Sequence, residues 1–187
     1  MDLKREDVYR NSRCLYGGMD SASMFSGHLI DFCRARAGKK ILDFGCASGN
    51  YCLELNRLGF DCTGVDINEE YIKTAVRRGV NALLIKDSLP VADKSFDTVI
   101  LFEILEHVRC PLEILKEAKR VARKNVLLTV PNNTEFKILK RANLTYYHIL
   151  EEDHINFFTL ESLSKLLSGC FEKYFLKKEE PVAVQSL

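Results

Sequence analysis

Asp43-Phe44-Gly45-Cys46-Ala47-Ser48-Gly49 sets a carboxylate two residues before the first of two glycines, at the exit of the apolar run Lys40–Phe44. Small residues in such a place let backbone N–H groups approach a ligand closely where a helix begins. The spacing is Gly-x-x-x-Gly and no basic residue lies in the loop. A pyrophosphate would find the Asp43 carboxylate unhelpful, whereas a cationic ligand would be drawn to it. Further on, Thr63-Gly64-Val65-Asp66-Ile67 ends a second apolar run in another acid. A carboxylate only accepts hydrogen bonds, so Asp66 can take them from two ribose hydroxyls while Ile67 lies against a purine ring. A third run ends in Phe102-Glu103-Ile104-Leu105-Glu106-His107. An imidazole titrates near neutrality, which makes His107 a candidate general base for a hydroxyl acidified by aromatic conjugation.

These residues need elements to position them. Lys40–Phe44, Cys62–Val65, Ala82–Ile85, Thr98–Phe102 and Val126–Val130 are short, β-prone and lack polar alternation, as strands buried on both faces do. Between them Tyr51–Leu58, Glu69–Arg78 and Leu112–Ala122 carry apolar residues at helical spacing, with Asn68 as an N-cap and Pro111 in a first turn. The order β-α-β-α-β, then β-α-β, predicts an open α/β sheet with right-handed crossovers. Such sheets bind ligands beyond the carboxyl ends of their strands, where all three acidic motifs fall. The first 38 residues, helical around Met24–Ala37, and residues 131–159 lie outside the repeating pattern and are expected to cover the site. A helix at Leu160–Leu167, a strand at Phe171–Lys177 and a short strand at Val182–Gln185 complete the expected chain.

Two acids at adjacent strand ends around a glycine loop suit a ligand with a ribose at one end and an ammonium and a sulfonium at the other, and S-adenosylmethionine is such a ligand. From Lys39 to Gly169 the chain resembles the class I S-adenosylmethionine-dependent methyltransferases. Asp43-x-Gly45-x-x-x-Gly49 resembles their first motif, Asp66 their ribose-binding acid, and Lys86-Asp87-Ser88-Leu89-Pro90 their adenine-contacting segment. Ser95-Phe96-Asp97 resembles the entry to their fourth strand. Asp153-His154-Ile155-Asn156-Phe157-Phe158-Thr159 is similar to a segment of the groups called types 11 and 23. The resemblance implies a single Rossmann-like, doubly wound domain over residues 1–187, with a mostly parallel sheet of six or seven strands. It implies an N-terminal helical lid (1–38), a cofactor-binding core (39–130), a substrate-covering insertion (131–159) and a C-terminal helix with strands (160–187). It implies S-adenosylmethionine as cofactor and S-adenosylhomocysteine as product, with Asp43, Gly45, Ser48, Gly49, Asp66, Ile67 and Asp87 expected as the binding residues. Ala47 stands where glycine is frequent, and Ala122-Arg123-Lys124-Asn125 replaces the usual Pro-Gly-Gly turn before the fifth strand.

Composition bounds the acceptor. The chain has 27 Lys plus Arg against 26 Asp plus Glu, a net charge of +1 that recommends no polyanionic partner. A small-molecule acceptor, methylated at oxygen, nitrogen or carbon, is therefore expected, with no metal assigned. An alternative is a metal-assisted RNA 2′-O-methyltransferase, since Glu103, Glu106, His107 and His154 could hold Mg²⁺ or Mn²⁺ and so lower a hydroxyl's pKa. Similar sets occur in small-RNA 3′-end and ubiquinone-pathway methyltransferases. Lys137, Lys140 and Arg141 interleaved with Phe136, Tyr146 and Tyr147 could serve an RNA, or form an ordinary amphipathic helix. Another alternative is a regulatory or scaffold protein that binds the cofactor without turnover. A dinucleotide-dependent oxidoreductase is disfavoured by the glycine spacing and by Asp43. Seven cysteines without a Cys-x-x-Cys pair read as reduced thiols, and a charged start without long apolar runs predicts a cytoplasmic protein with no membrane contact.

Overall fold

The computed structural model describes residues 26–86, 89–134 and 153–178. Its elements run α1 (Gly27–Arg36), β1 (Lys40–Phe44), α2 (Asn50–Arg57), β2 (Asp61–Asp66), α3 (Glu69–Arg77), β3 (Asn81–Leu84), β4 (Phe96–Phe102), α4 (Pro111–Val121), β5 (Ala122–Thr129) and α5 (Leu160–Ser168). The strands form a parallel sheet in the order β3-β2-β1-β4-β5. The chain therefore winds outward in one direction from β1, then crosses to β4 and winds in the other.

Side chains alternate between the two faces of each strand and feed two cores. Leu42, Phe44, Val99 and Leu101 pack with Ile114, Leu115, Ala118 and Val121 of α4 and with Leu163 and Leu167 of α5. Ile41, Ile100 and Phe102 pack on the other face with Ile30 and Cys33 of α1, Cys52 and Leu55 of α2, and Ile72 and Ala75 of α3. All seven residues of β4 are buried, as expected of a central strand covered on both sides. Asn68 caps α3 by accepting from the N–H groups of Glu70 and Tyr71, and Pro111 occupies the first turn of α4. Thr159 caps α5 through a reciprocal box with Ser162.

Three features depart from the sequence reading. Among the described residues the sheet has five strands, not six or seven, and residues 171–178 form none. Phe171 and Leu176 instead pack their side chains on the core, and Tyr174 Oη meets Ser164 Oγ at 2.8 Å. The expected strand at Val182–Gln185 lies outside the described residues. β5 begins at Ala122, four residues before the apolar run, because α4 passes into it without a turn. Asp97, at the amino end of β4, accepts from the Lys40 N–H at 3.0 Å and pairs with Arg123 and Lys124, drawing the polar start of β5 onto the sheet. Hydrogen bonding to the Arg123 guanidinium holds the Asp97 carboxyl well below the usual carboxylate range.

After β5, Asn132 pairs with Phe158 in an isolated parallel bridge. The Asn133 N–H donates to Phe158 O at 2.8 Å, and the Leu160 N–H donates to Thr134 Oγ1 at 3.1 Å. No helix among the described residues is long and apolar enough to cross a membrane.

Candidate active site

The reversal of winding direction leaves a crevice at the carboxyl ends of β1 and β4, and the sequence motifs meet there. The loop after β1 is built from left-handed backbone at Gly45 (φ 84°), Ala47 (φ 45°) and Gly49 (φ 80°). A Cβ on Gly49 would come within 2.8 Å of Val80, so close packing as well as φ requires glycine. The N–H groups of Gly45 and Cys46 are tied to Val65 O at 2.8 and 3.0 Å, which anchors the loop across the end of β2.

Asp66, at the carboxyl end of β2, reaches under this loop. Its Oδ2 accepts from the Ala47 N–H at 2.9 Å and its Oδ1 from the Asn68 N–H at 2.8 Å. Burial raises its pKa against hydrogen bonds from the Asn68, Ala47 and Ile67 N–H groups. Ile67 follows with 38% of its surface exposed, an apolar face open beside the acid. Asp43 sits beneath the loop, only 3% exposed, on the cysteine-lined face of β1. Cys52 donates its thiol to Asp43 Oδ2 at 3.5 Å, and Cys62 donates to Cys52 at 3.4 Å. Desolvation pushes Asp43 up to about 7, with the Asp66 charge adding to the rise. The six cysteines of the described residues are free thiols. Cys46, whose place in the loop raises the question of reactivity, is buried with its pKa raised by desolvation and so is held as an unreactive thiol.

Arg78 had no signal in the sequence. From the end of α3 its Nη1 donates to Ser48 O at 2.7 Å and to Asn50 Oδ1 at 2.6 Å, bracing the loop from behind. Asp87, expected to contact a ligand, lies outside the described residues, as does the basic and aromatic stretch from Phe136 to Tyr147.

The turn after β4 brings the second half of the site. Glu103 adopts φ 53°, a left-handed conformation that costs a non-glycine residue about 1–3 kcal/mol. Ile104 packs directly on Gly45, so this turn and the glycine loop touch. Glu106 is 1% exposed, its carboxyl group buried beside Glu103. Burial, then the neighbouring Glu103 charge, raises its pKa well above the usual carboxylate range. His107 Nδ1 lies 3.3 Å from Asp153 O and 3.3 Å from Asp153 Oδ2, while Nε2 lies 4.0 Å from Glu106 Oε1. Desolvation lowers the His107 pKa, partly countered by Asp153. The His154 ring meets it edge-on at 4.6 Å. Among the described residues Glu106, His107 and His154 each offer a ligand atom within 4.8 Å of the others. Glu103, the fourth member of the set read from the sequence, is not in that group.

The chain is similar to known proteins in sequence and in fold. A family profile described as a methyltransferase domain matches residues 22–169. A ubiquinone biosynthesis O-methyltransferase of Caulobacter vibrioides is 28% identical over 163 residues, covering 79% of this chain and 61% of its own length. One from Maricaulis maris is 35% identical over 103 residues, 49% of this chain and 39% of that protein. The chain thus spans between about two-fifths and three-fifths of these relatives. Among solved structures, an S-adenosylmethionine-dependent methyltransferase of Archaeoglobus fulgidus superposes with a TM-score of 0.62 at 22% identity, over 86% of this chain and 75% of that one. Another, from Methanosarcina mazei, gives 0.60 at 23% identity over 79% and 85%. With the family profile spanning most of the chain, the sheet order and the glycine loop with its paired acids have one common explanation: the chain belongs to the class I S-adenosylmethionine-dependent methyltransferases.

Proposed function

We propose that this protein transfers the methyl group of S-adenosylmethionine to a hydroxyl of a small molecule, with His107 as the base. The observation that carries the reading is the contact of Ile104 with Gly45, which sets the His107 turn against the cofactor loop at the switch point of the sheet. The residues present fit the cofactor. Asp66, an acceptor-only carboxylate at the end of β2, would accept a hydrogen bond from a ribose hydroxyl. Ile67 offers an exposed apolar face to a purine. Gly45, Ser48 and Gly49 form the cradle, and Asp43 supplies negative potential beneath it. Bound there, S-adenosylmethionine supplies an electrophilic methyl group on a sulfonium. The protein's part is to hold the acceptor oxygen in line and to receive its proton at His107, and positioning contributes the larger share.

The relatives' names, ubiquinone biosynthesis O-methyltransferases, support oxygen as the accepting atom. The net charge of +1 favours a small acceptor over RNA. A second reading is favoured by the meeting of Glu106, His107 and His154, which would hold a divalent cation, and that cation would acidify the hydroxyl.

Calorimetric titration with S-adenosylhomocysteine, S-adenosylmethionine and NAD, in the presence of Mg²⁺, Mn²⁺ or chelator, tests the reading. Micromolar binding of the adenosyl ligands and not of NAD is expected, followed by methylation of simple catechols that His107→Ala abolishes. Binding without turnover on any acceptor would favour a regulatory role. No adenosyl binding under any condition would sink the proposal.

A further inference from the structure

Asp43 and Gly64 are partners across the parallel pair β1 and β2, so their side-chain positions point to the same face of the sheet. A Cβ on Gly64 would lie 2.6 Å from Cys46 Sγ and 3.2 Å from Cys52 Sγ. The bare backbone of β2 at this position thus makes room for thiols beside the acid. Two of them stand in line with it: Cys62 donates to Cys52 Sγ at 3.4 Å, and Cys52 donates to Asp43 Oδ2 at 3.5 Å. All three residues are buried.

The line is held by the helix that carries Cys52. Asn56, one turn further along the same face of α2, accepts the Cys62 N–H on Oδ1 at 2.7 Å and donates from Nδ2 to Cys62 O at 3.2 Å. α2 cannot slide along β2 without breaking both bonds, so the Cys52 sulfur is set at a fixed depth beside Asp43.

A buried carboxylate needs a donor once it is charged. Around Asp43 stand Cys33 from α1, Cys46 from the glycine loop, Tyr51 and Cys52 from α2, and Cys62 and Asp66 from β2. β4 and α3 bring Ile100, Ile72 and Ala75 to this face, which carry no charge. Asp66 adds a like charge, whereas Cys52 donates a hydrogen bond that favours the ionised form. The hydrogen bond with Cys62, then burial, holds the Cys52 thiol well above its ordinary pKa, and Cys62, against that hydrogen bond, is raised by burial. Both thiols therefore keep their hydrogens where Asp43 titrates.

We propose that Cys52 is the positioning residue of Asp43: its thiol, backed by Cys62, donates to Oδ2 and holds the carboxylate as a charged partner for the cationic end of the cofactor. The proposal rests on the reading of Asp43 as the acid beneath the cofactor. Cys52 acts on the cofactor through Asp43. A thiol is a weak donor, which suits the task. The acid charges when a cation arrives and takes up a proton when the cation leaves.

The test is the S–H stretching band of Cys52, which lies in an infrared window clear of other protein absorption and falls in frequency as the thiol donates more strongly. Spectra of the ligand-free chain at pH 5 and pH 8 bracket the titration of Asp43 at about 7. The wild-type difference spectrum is expected to show a thiol band moving to lower frequency as Asp43 ionises, a feature absent from both Cys52→Ser and Asp43→Asn. No moving band, or one that persists in either variant, would overturn the proposal. By calorimetry Cys52→Ala is expected to weaken S-adenosylmethionine binding about three- to tenfold, and Cys52→Ser, whose hydroxyl still donates, to recover most of the loss. Unchanged affinity in Cys52→Ala, or an equal loss in both variants, would mark Cys52 as a packing residue and overturn the assignment. Should Cys52→Ala not fold, the infrared comparison decides. The band is read without cofactor. A moving band in a chain that binds no adenosyl ligand would defeat the cofactor reading alone, and a still band in a chain that binds them would defeat the role of Cys52 alone.

Discussion

The Cδ1 methyl of Ile104 occupies the space a side chain on Gly45 would need: a Cβ there would lie 2.1 Å from it. Gly45 also sits at φ 84°, where an L-residue pays about 1–2 kcal/mol. Gly45→Ala should therefore push the glycine loop and the His107 turn apart and weaken S-adenosylhomocysteine binding at least tenfold by calorimetry. Gly59→Ala is the control, since Gly59 has φ 89° with nothing within 4 Å of its added Cβ. It should lose stability alone and keep its affinity.

Asp66→Ala removes the acceptor proposed for the ribose and leaves the Ala47 N–H without its partner. Hydrogen bonds to a charged group are worth roughly 1.5–3 kcal/mol, so adenosyl affinity should fall about ten- to a hundredfold. Unchanged affinity would count against the placement of the ribose.

Asp43 makes stability depend on pH with a definite sign. Its carboxyl rises from an ordinary 3.8 to about 7 in the fold. Between those values the native state keeps a proton that the unfolded chain releases, so stability is full below pH 4 and falls as pH rises toward 7. Urea titrations at pH 5 and pH 8 should show a loss of up to a few kcal/mol, which Asp43→Asn should flatten. A cationic ligand above Asp43 would expel that proton. The binding enthalpy near pH 7 should accordingly vary with the ionisation enthalpy of the buffer, and a buffer-independent enthalpy would argue that Asp43 does not sense the ligand.

Arg78→Met strips the Ser48 carbonyl of a charged donor while leaving the hydrophobic cores untouched. Cofactor KM should rise roughly tenfold, with kcat at saturation preserved. If the melting temperature falls with no change in KM, Arg78 serves the fold and not the loop.

What the sequence discloses and what it hides divide along physical lines. β1 and the acids Asp43 and Asp66 are legible because burial on both faces, a glycine turn and a strand end are local patterns, and Asn68 and Pro111 announce their helices by local chemistry. The start of β5 is hidden because Ala122–Asn125 enters the sheet through Asp97, a partner 26 residues away. The expected strand at Phe171–Lys177 has the apolar content of a strand but uses it for side-chain packing. Arg78 and Asp153 are silent for a related reason. Their contacts with Ser48 and His107 span 30 and 46 residues, and neither periodicity nor spacing encodes such a meeting.

The bridge between Asn132 and Phe158 clasps the chain just past β5 to the chain just before α5. Where two points of a chain are held together, doubling the length of a flexible connection between them costs only about 0.6 kcal/mol in closure entropy. The five strands and the glycine loop are all complete before Asn132 is reached, so an insertion between the two bridge partners would leave every strand connection of the sheet as it stands.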